Sequence, residues 1–221
     1  MHLHIARASV PPNRAGAKPG LREKNKAEKR AAILKAAREL FAAKGFEKTT
    51  IQEIARRAGV GTGTIFLYAK DKPALLFWVF QDEVGRAEKK ALAALPKRAP
   101  LLDKLFLLFR RLFYHYAQHP SLSEVYLREL IIPRGESGQQ NVAFTLEFLE
   151  EIAKLVDDAK SRGEVHEDVS SLLAASNFFA IYYFALLGWL SPLGDDRESQ
   201  LKRLRRSLHL QIDGLGGKKA D

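Results

Sequence analysis

The chain has 221 residues, of which 46% are hydrophobic and 28% charged, as in an ordinary soluble globular protein of one or two domains. It contains no cysteine, which excludes a disulfide framework, a thiolate zinc site and a cysteine nucleophile. The net charge of +10 lies entirely in the first third: residues 1–72 hold 16 Lys and Arg against 6 Asp and Glu, whereas residues 73–221 hold 20 of each. A basic module joined to a neutral body indicates a protein that binds a polyanion, with a solvated basic tail as the alternative.

Residues 1–23 are predicted to be a disordered basic arm, because residues 9–20 are rich in Pro, Gly and Ala. The first residues contain too few apolar side chains for a signal peptide. Five cations could either form an arm in the DNA minor groove or remain solvated: Arg7, Arg14, Lys18, Arg22 and Lys24.

The remainder is predicted to form nine helices with short connections, which is an all-α fold. Glycines and prolines separate the helical patterns, and Thr49 or Thr50 is expected to cap the second helix, with Glu53 as capping-box partner of Thr50. The predicted ranges are 25–44, 50–58, 62–68, 72–95, 101–118, 121–131, 138–162, 168–190 and 196–212.

The second and third helices form a helix-turn-helix pattern. Ile51, Ile54, Ala55 and Ala58 make one apolar face, and Gly59 supplies a sharp turn before a short helix. That short helix is anchored by Val60 and Ile65, and it presents Thr62, Thr64 and Leu67 outward, so that its start can enter a major groove. The alternatives are a three-helix bundle without a DNA role, and a phosphate loop at 61–64, which neither a preceding strand nor a Gly-Lys-Thr supports.

Residues 28–76 resemble the DNA-binding domain of the TetR family of regulators. The resemblance rests on Ala36-Ala-Arg-Glu-Leu-Phe41, Lys44-Gly-Phe46, Thr49-Thr-Ile-Gln-Glu-Ile-Ala55, Ala58-Gly-Val60, Gly63-Thr64 and Lys70-Asp-Lys72. It implies contacts with DNA phosphates or backbone from Thr50, Thr64, Tyr68 and Lys72. It also implies base contacts from Thr62 and Leu67, and a close approach of the protein backbone to DNA at Gly63. Gly61, Phe66 and Ala69 depart from residues common in the family, so we expect few base contacts and more weight on DNA shape and backbone.

The resemblance implies a DNA-binding domain at residues 24–70, an effector-binding and dimerisation domain at residues 71–213, and a flexible tail at residues 214–221. The implied protein is a cytoplasmic homodimer that binds a palindromic double-stranded operator, its two recognition helices about one DNA turn (~34 Å) apart. Helices 138–162 and 168–190 resemble the family's dimer interface. The residues spaced for an intermolecular four-helix bundle are Leu149, Ile152, Leu155, Val156, Phe179, Tyr183, Leu186 and Leu190.

The body is rich in aromatic residues that could surround a pocket for a small hydrophobic or aromatic effector. The candidate ligand contacts are Trp78, Phe109, Phe113, Tyr116, Tyr126, Phe144, Phe148, Phe178 and Tyr182. Ordinary core packing is the alternative for each of them. We expect a repressor that the effector releases from DNA, although the sequence leaves activation open.

No catalytic residues, metal site or cofactor are predicted. His115 and His119 have possible metal spacing with Glu124 nearby, but such pairs also occur on polar helix faces. Adjacent acids such as Glu150 and Glu151 point in different directions on a helix, so they do not form an acid/base pair for catalysis. The sequence also contains no motif typical of dinucleotide-binding proteins or hydrolases. The alternative function class is a helical enzyme or small-molecule carrier. Separately, the uncharged stretch 169–194 is long enough to span a membrane, although the acidic residues at both of its ends favour a helix buried in the protein.

Overall fold

The computed structural model of the chain describes residues 20–131, 135–191 and 194–215, which form nine helices and no strand. The helices are α1 (Leu21–Lys48), α2 (Ile51–Ala58), α3 (Thr62–Phe66), α4 (Lys72–Ala93), α5 (Leu101–Tyr116), α6 (Pro120–Ile131), α7 (Gly135–Ser161), α8 (Ser171–Leu190) and α9 (Arg197–Leu215). The predicted all-α fold is therefore confirmed, with every predicted helix present.

Local side-chain chemistry explains where the first helices begin and end. Gly45, with a φ of 78°, breaks the helical backbone of α1, as expected for a residue that ends a helix in the left-handed region. The capping box of α2 is present, because the Thr50 hydroxyl accepts from the Glu53 amide and the Glu53 carboxylate accepts from the Thr50 amide. Gly59, with a φ of 66°, ends α2 and turns the chain towards α3.

Several predicted boundaries need correction, and three of them concern the head and the two ends of the chain. Helix α1 begins at Leu21, so residues 21–23 are helical rather than part of a disordered arm; residues 1–19 of that arm lie outside the described residues. Helix α3 ends at Phe66 instead of residue 68, which leaves Leu67 and Tyr68 in the turn that follows. Helix α9 continues to Leu215, two residues into the predicted tail, and most of that tail is also outside the described residues.

The body consists of α4–α9, and the head formed by α1–α3 rests on it. Helix α1 contacts α4 and α6, while α7, α8 and α9 pack side by side and α5 contacts α4, α7 and α9. Side chains from all of these helices form one continuous apolar core. The head is thus joined to the body by packing as well as by the chain itself.

Helix α8 is long and apolar enough to cross a membrane by length and composition alone. It packs against α7 and α9, and 33% of its apolar window is buried inside the protomer. Leu172, Leu173 and Phe184 remain exposed along it. This helix therefore has one side in the protein core and another side that is apolar but uncovered in a single protomer.

Candidate DNA interface and effector cleft

The short helix α3 presents an accessible surface at the tip of the head. Ile65 is fully buried and anchors the helix, whereas Thr62, Gly63 and Leu67 are exposed and Thr64 is partly buried. Leu67 is 83% exposed and the adjacent Phe66 53%, so two neighbouring apolar side chains are accessible at the tip of the head. The residues predicted to contact bases, Thr62 and Leu67, are thus accessible in the protomer, and their contact with DNA stays a prediction.

Two of the predicted phosphate-binding side chains have roles inside the head. The Thr50 hydroxyl belongs to the α2 capping box. The Lys72 ammonium group donates to the carbonyl oxygens of Phe46 (2.9 Å) and Glu47 (3.2 Å), and it lies 4.4 Å from the centre of the Phe46 ring. The first turn of α4 therefore holds the end of α1, a contact between residues 26 apart that the sequence analysis missed.

Thr49, which the sequence offered as an alternative cap of α2, has a different structural role, since the cap is Thr50. Its side chain is buried, and its hydroxyl donates to the carbonyl oxygens of Gly45 (2.8 Å) and Leu40 (3.2 Å). The Gly45 carbonyl needs this donor, because the Thr49 amide donates to Phe46 instead. Thr49 and Lys72 together fix the corner between α1 and α2, on which the position of α3 depends.

We expect Lys72→Met to lower the free energy of unfolding by about 1 kcal/mol, because the partly buried carbonyl of Phe46 and the exposed carbonyl of Glu47 would lose a charged donor. Thermal or urea unfolding measures this change in the absence of DNA. Lys70→Met is the matched control, since Lys70 is exposed and the substitution removes the same charge. Equal stability of the two variants would show that Lys72 acts only as a DNA contact.

The head meets the body at a stacked aromatic pair. Tyr68, just after α3, stacks on Trp78 of α4 with ring centres 5.2 Å apart, and the Arg30 guanidinium lies 5.4 Å from the centre of the Trp78 ring. Trp78 therefore lies at the junction rather than at the centre of the body; it lines a cavity of about 480 Å³ there, and its role as a ligand contact stays a prediction. The sequence could not show this because the junction depends on how α1 packs against α4.

Most of the other predicted ligand residues are packed ring against ring in the body. Phe109 stacks on Tyr182 at 4.5 Å, and Tyr126 stacks on Phe80 at 4.7 Å. The buried members of the predicted set are Phe109, Phe113, Tyr116, Tyr126, Phe148, Phe178 and Tyr182. In this conformation they form core, and a ligand could reach any of them other than Phe148, which also lines the cleft between α4 and α7, only if some of the rings moved.

A cleft of about 720 Å³ opens between α4 and α7, within the size range of small-molecule sites. Leu92, Phe144 and Phe148 provide its apolar wall, so two residues of the predicted ligand set, Phe144 and Phe148, line this cleft. Gln81 of α4 donates to Asn141 of α7 at 3.0 Å and joins the two helices on one side of the cleft. The charged residues around it are Asp82, Arg86, Glu88, Lys89, Glu147, Glu150 and Glu151.

Glu88 is a partly buried acid of this cleft. Burial and, to a smaller extent, the nearby Glu147 carboxylate raise the pKa of its carboxyl to about 8, against a smaller opposing effect of Lys89. The Glu88 charge in turn contributes to the raised pKa values of Tyr116, Tyr126 and Tyr182, for each of which burial is the largest cause. At neutral pH the Glu88 carboxyl is therefore mainly protonated and able to donate a hydrogen bond.

This raised pKa predicts a pH-dependent stability. Above pH 4.5 the unfolded chain loses the Glu88 proton while the folded chain keeps it, so Glu88 destabilises the fold increasingly up to about pH 8, where the effect levels off. We expect the stability advantage of Glu88→Gln over the unsubstituted protein to grow by on the order of 3 kcal/mol between pH 5 and pH 8. Urea unfolding across this range measures it.

Glu150→Gln is the control for this prediction, because Glu150 is an exposed carboxylate at the rim of the same cleft. Its effect on stability should not change over the same pH range. If the free energies of unfolding of Glu88→Gln and the unsubstituted protein differed by the same amount at every pH, the burial of the Glu88 carboxyl would be contradicted.

The predicted dimer residues divide into two groups. Leu149, Ile152, Val156 and Leu186 are buried within the protomer, so they cannot form the surface of an interface, and that part of the prediction is wrong. Leu155, Phe179, Tyr183 and Leu190 are partly buried. The exposed apolar residues on the same two helices are Val142, Leu146, Leu172, Leu173 and Phe184.

The described residues contain no cluster of three or more His, Cys, Asp or Glu that could hold a metal ion. His115 is partly buried, and burial lowers its pKa, with the neighbouring His119 and Arg86 acting in the same direction and Glu83 opposing. This histidine faces α4 residues rather than a ligand set.

Comparison with known proteins identifies relatives of both head and body. The family model for bacterial regulatory proteins of the tetR family matches residues 33–78. The fatty acid metabolism regulator protein of Bacillus subtilis (strain 168) is 26% identical over 196 residues, which cover 88% of this chain and 100% of that protein. The body is therefore included in this similarity, and not only the head.

Two solved structures share the fold. Thermus thermophilus FadR, a TetR family transcriptional repressor in complex with lauroyl-CoA, has a TM-score of 0.71 and 25% identity, covering 86% of this chain and 97% of that chain. FadR from Bacillus subtilis in complex with stearoyl-CoA has a TM-score of 0.61 and 23% identity, covering 85% and 98%.

A helix-turn-helix head on an all-helical body defines a DNA-binding transcriptional regulator, and the similar proteins are regulators rather than enzymes. The alternative of a helical enzyme with an incidental basic head is thereby excluded. Residues 33–78 carry the DNA-binding domain of the tetR family of bacterial regulatory proteins, and nearly the whole chain is similar to TetR-family transcriptional regulators.

Proposed function

We propose that this regulator is a cytoplasmic homodimeric repressor that binds a palindromic operator and is released by a long-chain acyl-CoA. The observation that carries the proposal is the apolar-walled cleft between α4 and α7, in a chain that is similar over nearly its whole length to a fatty acid metabolism regulator. The FadR structures hold lauroyl-CoA and stearoyl-CoA, which makes the same ligand class the first to test.

The charges around the cleft suggest how such a ligand would lie. The acyl chain would contact Leu92, Phe144 and Phe148. Arg86 is shared with a second groove of about 320 Å³ between α1 and α4, in which Arg30, Lys35 and Arg38 supply further cations. The phosphates of coenzyme A would find compensating charge in that groove rather than beside the acids of the cleft.

Helix α4 offers a physical connection between ligand and DNA. It carries Trp78 beneath Tyr68 at the head, and further along it carries Gln81 and Glu88 at the cleft. A ligand that separates α4 from α7 would therefore also displace the stacked pair that supports α3. Binding of acyl-CoA and binding of DNA would then oppose each other through their preferences for two arrangements of α4.

Dimerisation would use the exposed apolar residues of α7 and α8. Leu173, Ala180 and Phe184 are exposed at i, i+7 and i+11, which places them along one side of α8. Pairing of two α7–α8 units would cover this side and set the spacing of the two heads. A membrane-anchored regulator is the alternative, and a dimer that purifies without detergent would exclude it.

The function is tested by selecting bound duplexes from a random DNA pool and then titrating the complex with lauroyl-CoA. We expect a palindromic site, binding that weakens with salt, and release of the DNA by micromolar acyl-CoA. Coenzyme A without an acyl chain is the control and should leave the complex intact. DNA that stays bound at saturating lauroyl-CoA would contradict the proposed effector.

The acidic rim supports a second candidate, an amphiphilic cation. Glu147, Glu150 and Glu151 surround an aromatic wall, which is a suitable environment for a positive charge. The two candidates predict opposite effects of Glu147→Gln, which would strengthen acyl-CoA binding and weaken cation binding. Thermal shift with lauroyl-CoA and dodecyltrimethylammonium distinguishes them.

A further inference from the structure

Four helices bring polar groups together behind the α4–α7 cleft. Tyr182 lies behind the cleft wall, because its ring centre is 6.3 Å from that of Phe179, which is 6.1 Å from that of the cleft residue Phe148, so a ligand reaches Tyr182 when these rings move aside. Glu88 of α4 lines the cleft itself, and its charge acts on three phenols that lie deeper, one each on α5, α6 and α8. These are Tyr116, Tyr126 and Tyr182, all buried in an otherwise apolar core. We call Glu88 and these three tyrosines the Glu88 cluster.

Tyr182 is the member of the cluster that needs an explanation. Its side chain is 2% exposed, and its hydroxyl has no hydrogen-bond partner among the residues that the structure describes. The ring is held by stacking on Phe109, so the hydroxyl cannot easily turn elsewhere. A buried donor without a partner costs folding free energy, so this hydroxyl calls for a bound acceptor such as a water molecule or a ligand group.

Neighbouring Tyr183 has a different environment. Its hydroxyl donates to the carbonyl oxygen of Leu127, so its hydrogen bond is satisfied within the fold. Two adjacent tyrosines of one helix therefore differ in the presence of an internal acceptor, and the one without an acceptor, Tyr182, is also the more deeply buried.

The chemistry of the cluster selects an uncharged acceptor. A phenol and a protonated carboxyl both donate hydrogen bonds, but neither supplies positive charge. A carboxylate or phosphate at this position would also be repelled by Glu147, which lies near Glu88 at the cleft. A carbonyl oxygen is a strong acceptor without net charge and meets both conditions.

We propose that Tyr182 and Glu88 bind the thioester carbonyl oxygen of an acyl-CoA whose chain occupies the α4–α7 cleft. This inference rests on the proposed effector class and adds the group that the protein recognises. It makes Tyr182 a specificity-determining residue, because an acyl thioester would satisfy the cluster and a saturated chain without a carbonyl would not.

The test compares lauroyl-CoA with its thioether analogue, S-dodecyl-CoA, by isothermal titration calorimetry. The two ligands differ only in the carbonyl oxygen. We expect the unsubstituted protein to bind lauroyl-CoA about tenfold more tightly, the difference made by roughly one buried hydrogen bond. Tyr182→Phe should bind both ligands with the affinity of the thioether, whereas the matched control Tyr183→Phe should keep the tenfold preference.

The possible failures are distinct. If the unsubstituted protein binds both ligands equally, or if Tyr182→Phe keeps the preference, carbonyl recognition by Tyr182 is wrong while acyl-CoA remains the effector. If neither ligand binds, the proposed effector is wrong, and the carbonyl assignment falls with it. Thermal unfolding of both Tyr→Phe variants without ligand verifies that each is folded.

Discussion

Leu67→Glu is expected to weaken operator binding about 100-fold, because each protomer of a dimer would lose an apolar contact and place a carboxylate against the DNA. Leu67 is 83% exposed and follows α3, so the substitution should leave the free energy of unfolding nearly unchanged. Fluorescence anisotropy with the selected duplex at fixed salt measures the affinity.

Leu210→Glu provides the matched control for this substitution. Leu210 is 75% exposed and lies on α9 of the body, so the same change of residue adds the same charge away from the head. Its effect on DNA affinity should stay within about threefold, as expected for a distant surface charge. A similar loss in both variants would indicate a general effect of charge, and α3 would no longer be the reading helix.

Phe184→Glu has the second large expected effect: it should convert the dimer into a monomer and abolish cooperative binding to the two half-sites. Phe184 is 71% exposed in the protomer, and it is aromatic, like many residues that dominate interfaces. Burying two carboxylates per dimer would cost on the order of 4 kcal/mol or more of dimerisation free energy. This is enough to raise the dissociation constant of the dimer above the micromolar range. Analytical ultracentrifugation measures the oligomeric state.

Leu210→Glu again serves as the control, since it replaces an exposed apolar residue outside α7 and α8. It should leave the dimer intact. A Phe184→Glu protein that sediments as a dimer would place the interface on another surface. If that variant is a folded monomer that still binds a single half-site weakly, the separation of head and interface is supported.

The sequence predicted the helices well because their ends carry local chemistry. The capping box of Thr50 and Glu53, the glycines at 45 and 59 and the Asp71 cap of α4 all act within a few residues of the chain. Such short-range contacts can be read directly from spacing. Long-range contacts cannot, which is why the cap formed by Lys72 over Phe46 and Glu47 was missed.

The direction of side chains on an apolar helix was the other source of error. Helix α8 is apolar on all sides, so spacing alone could not show that Leu186 faces the core while Phe184 faces outward. Glu88, in contrast, could have been found. It falls at helical spacing between the buried Val84 and Ala91, so the buried face of α4 carries one carboxyl that a solvated helix would not place there.

The partly buried carboxyl of Glu88 has a consequence for calorimetry of effector binding. With a pKa of about 8, roughly a quarter of the molecules lack this proton at pH 7.5. A ligand that accepts a hydrogen bond from the protonated form would draw the remaining molecules into that form, and each binding event would take up a fraction of a proton from the buffer. The apparent heat of binding should therefore differ between Tris and phosphate, and the difference should disappear in Glu88→Gln.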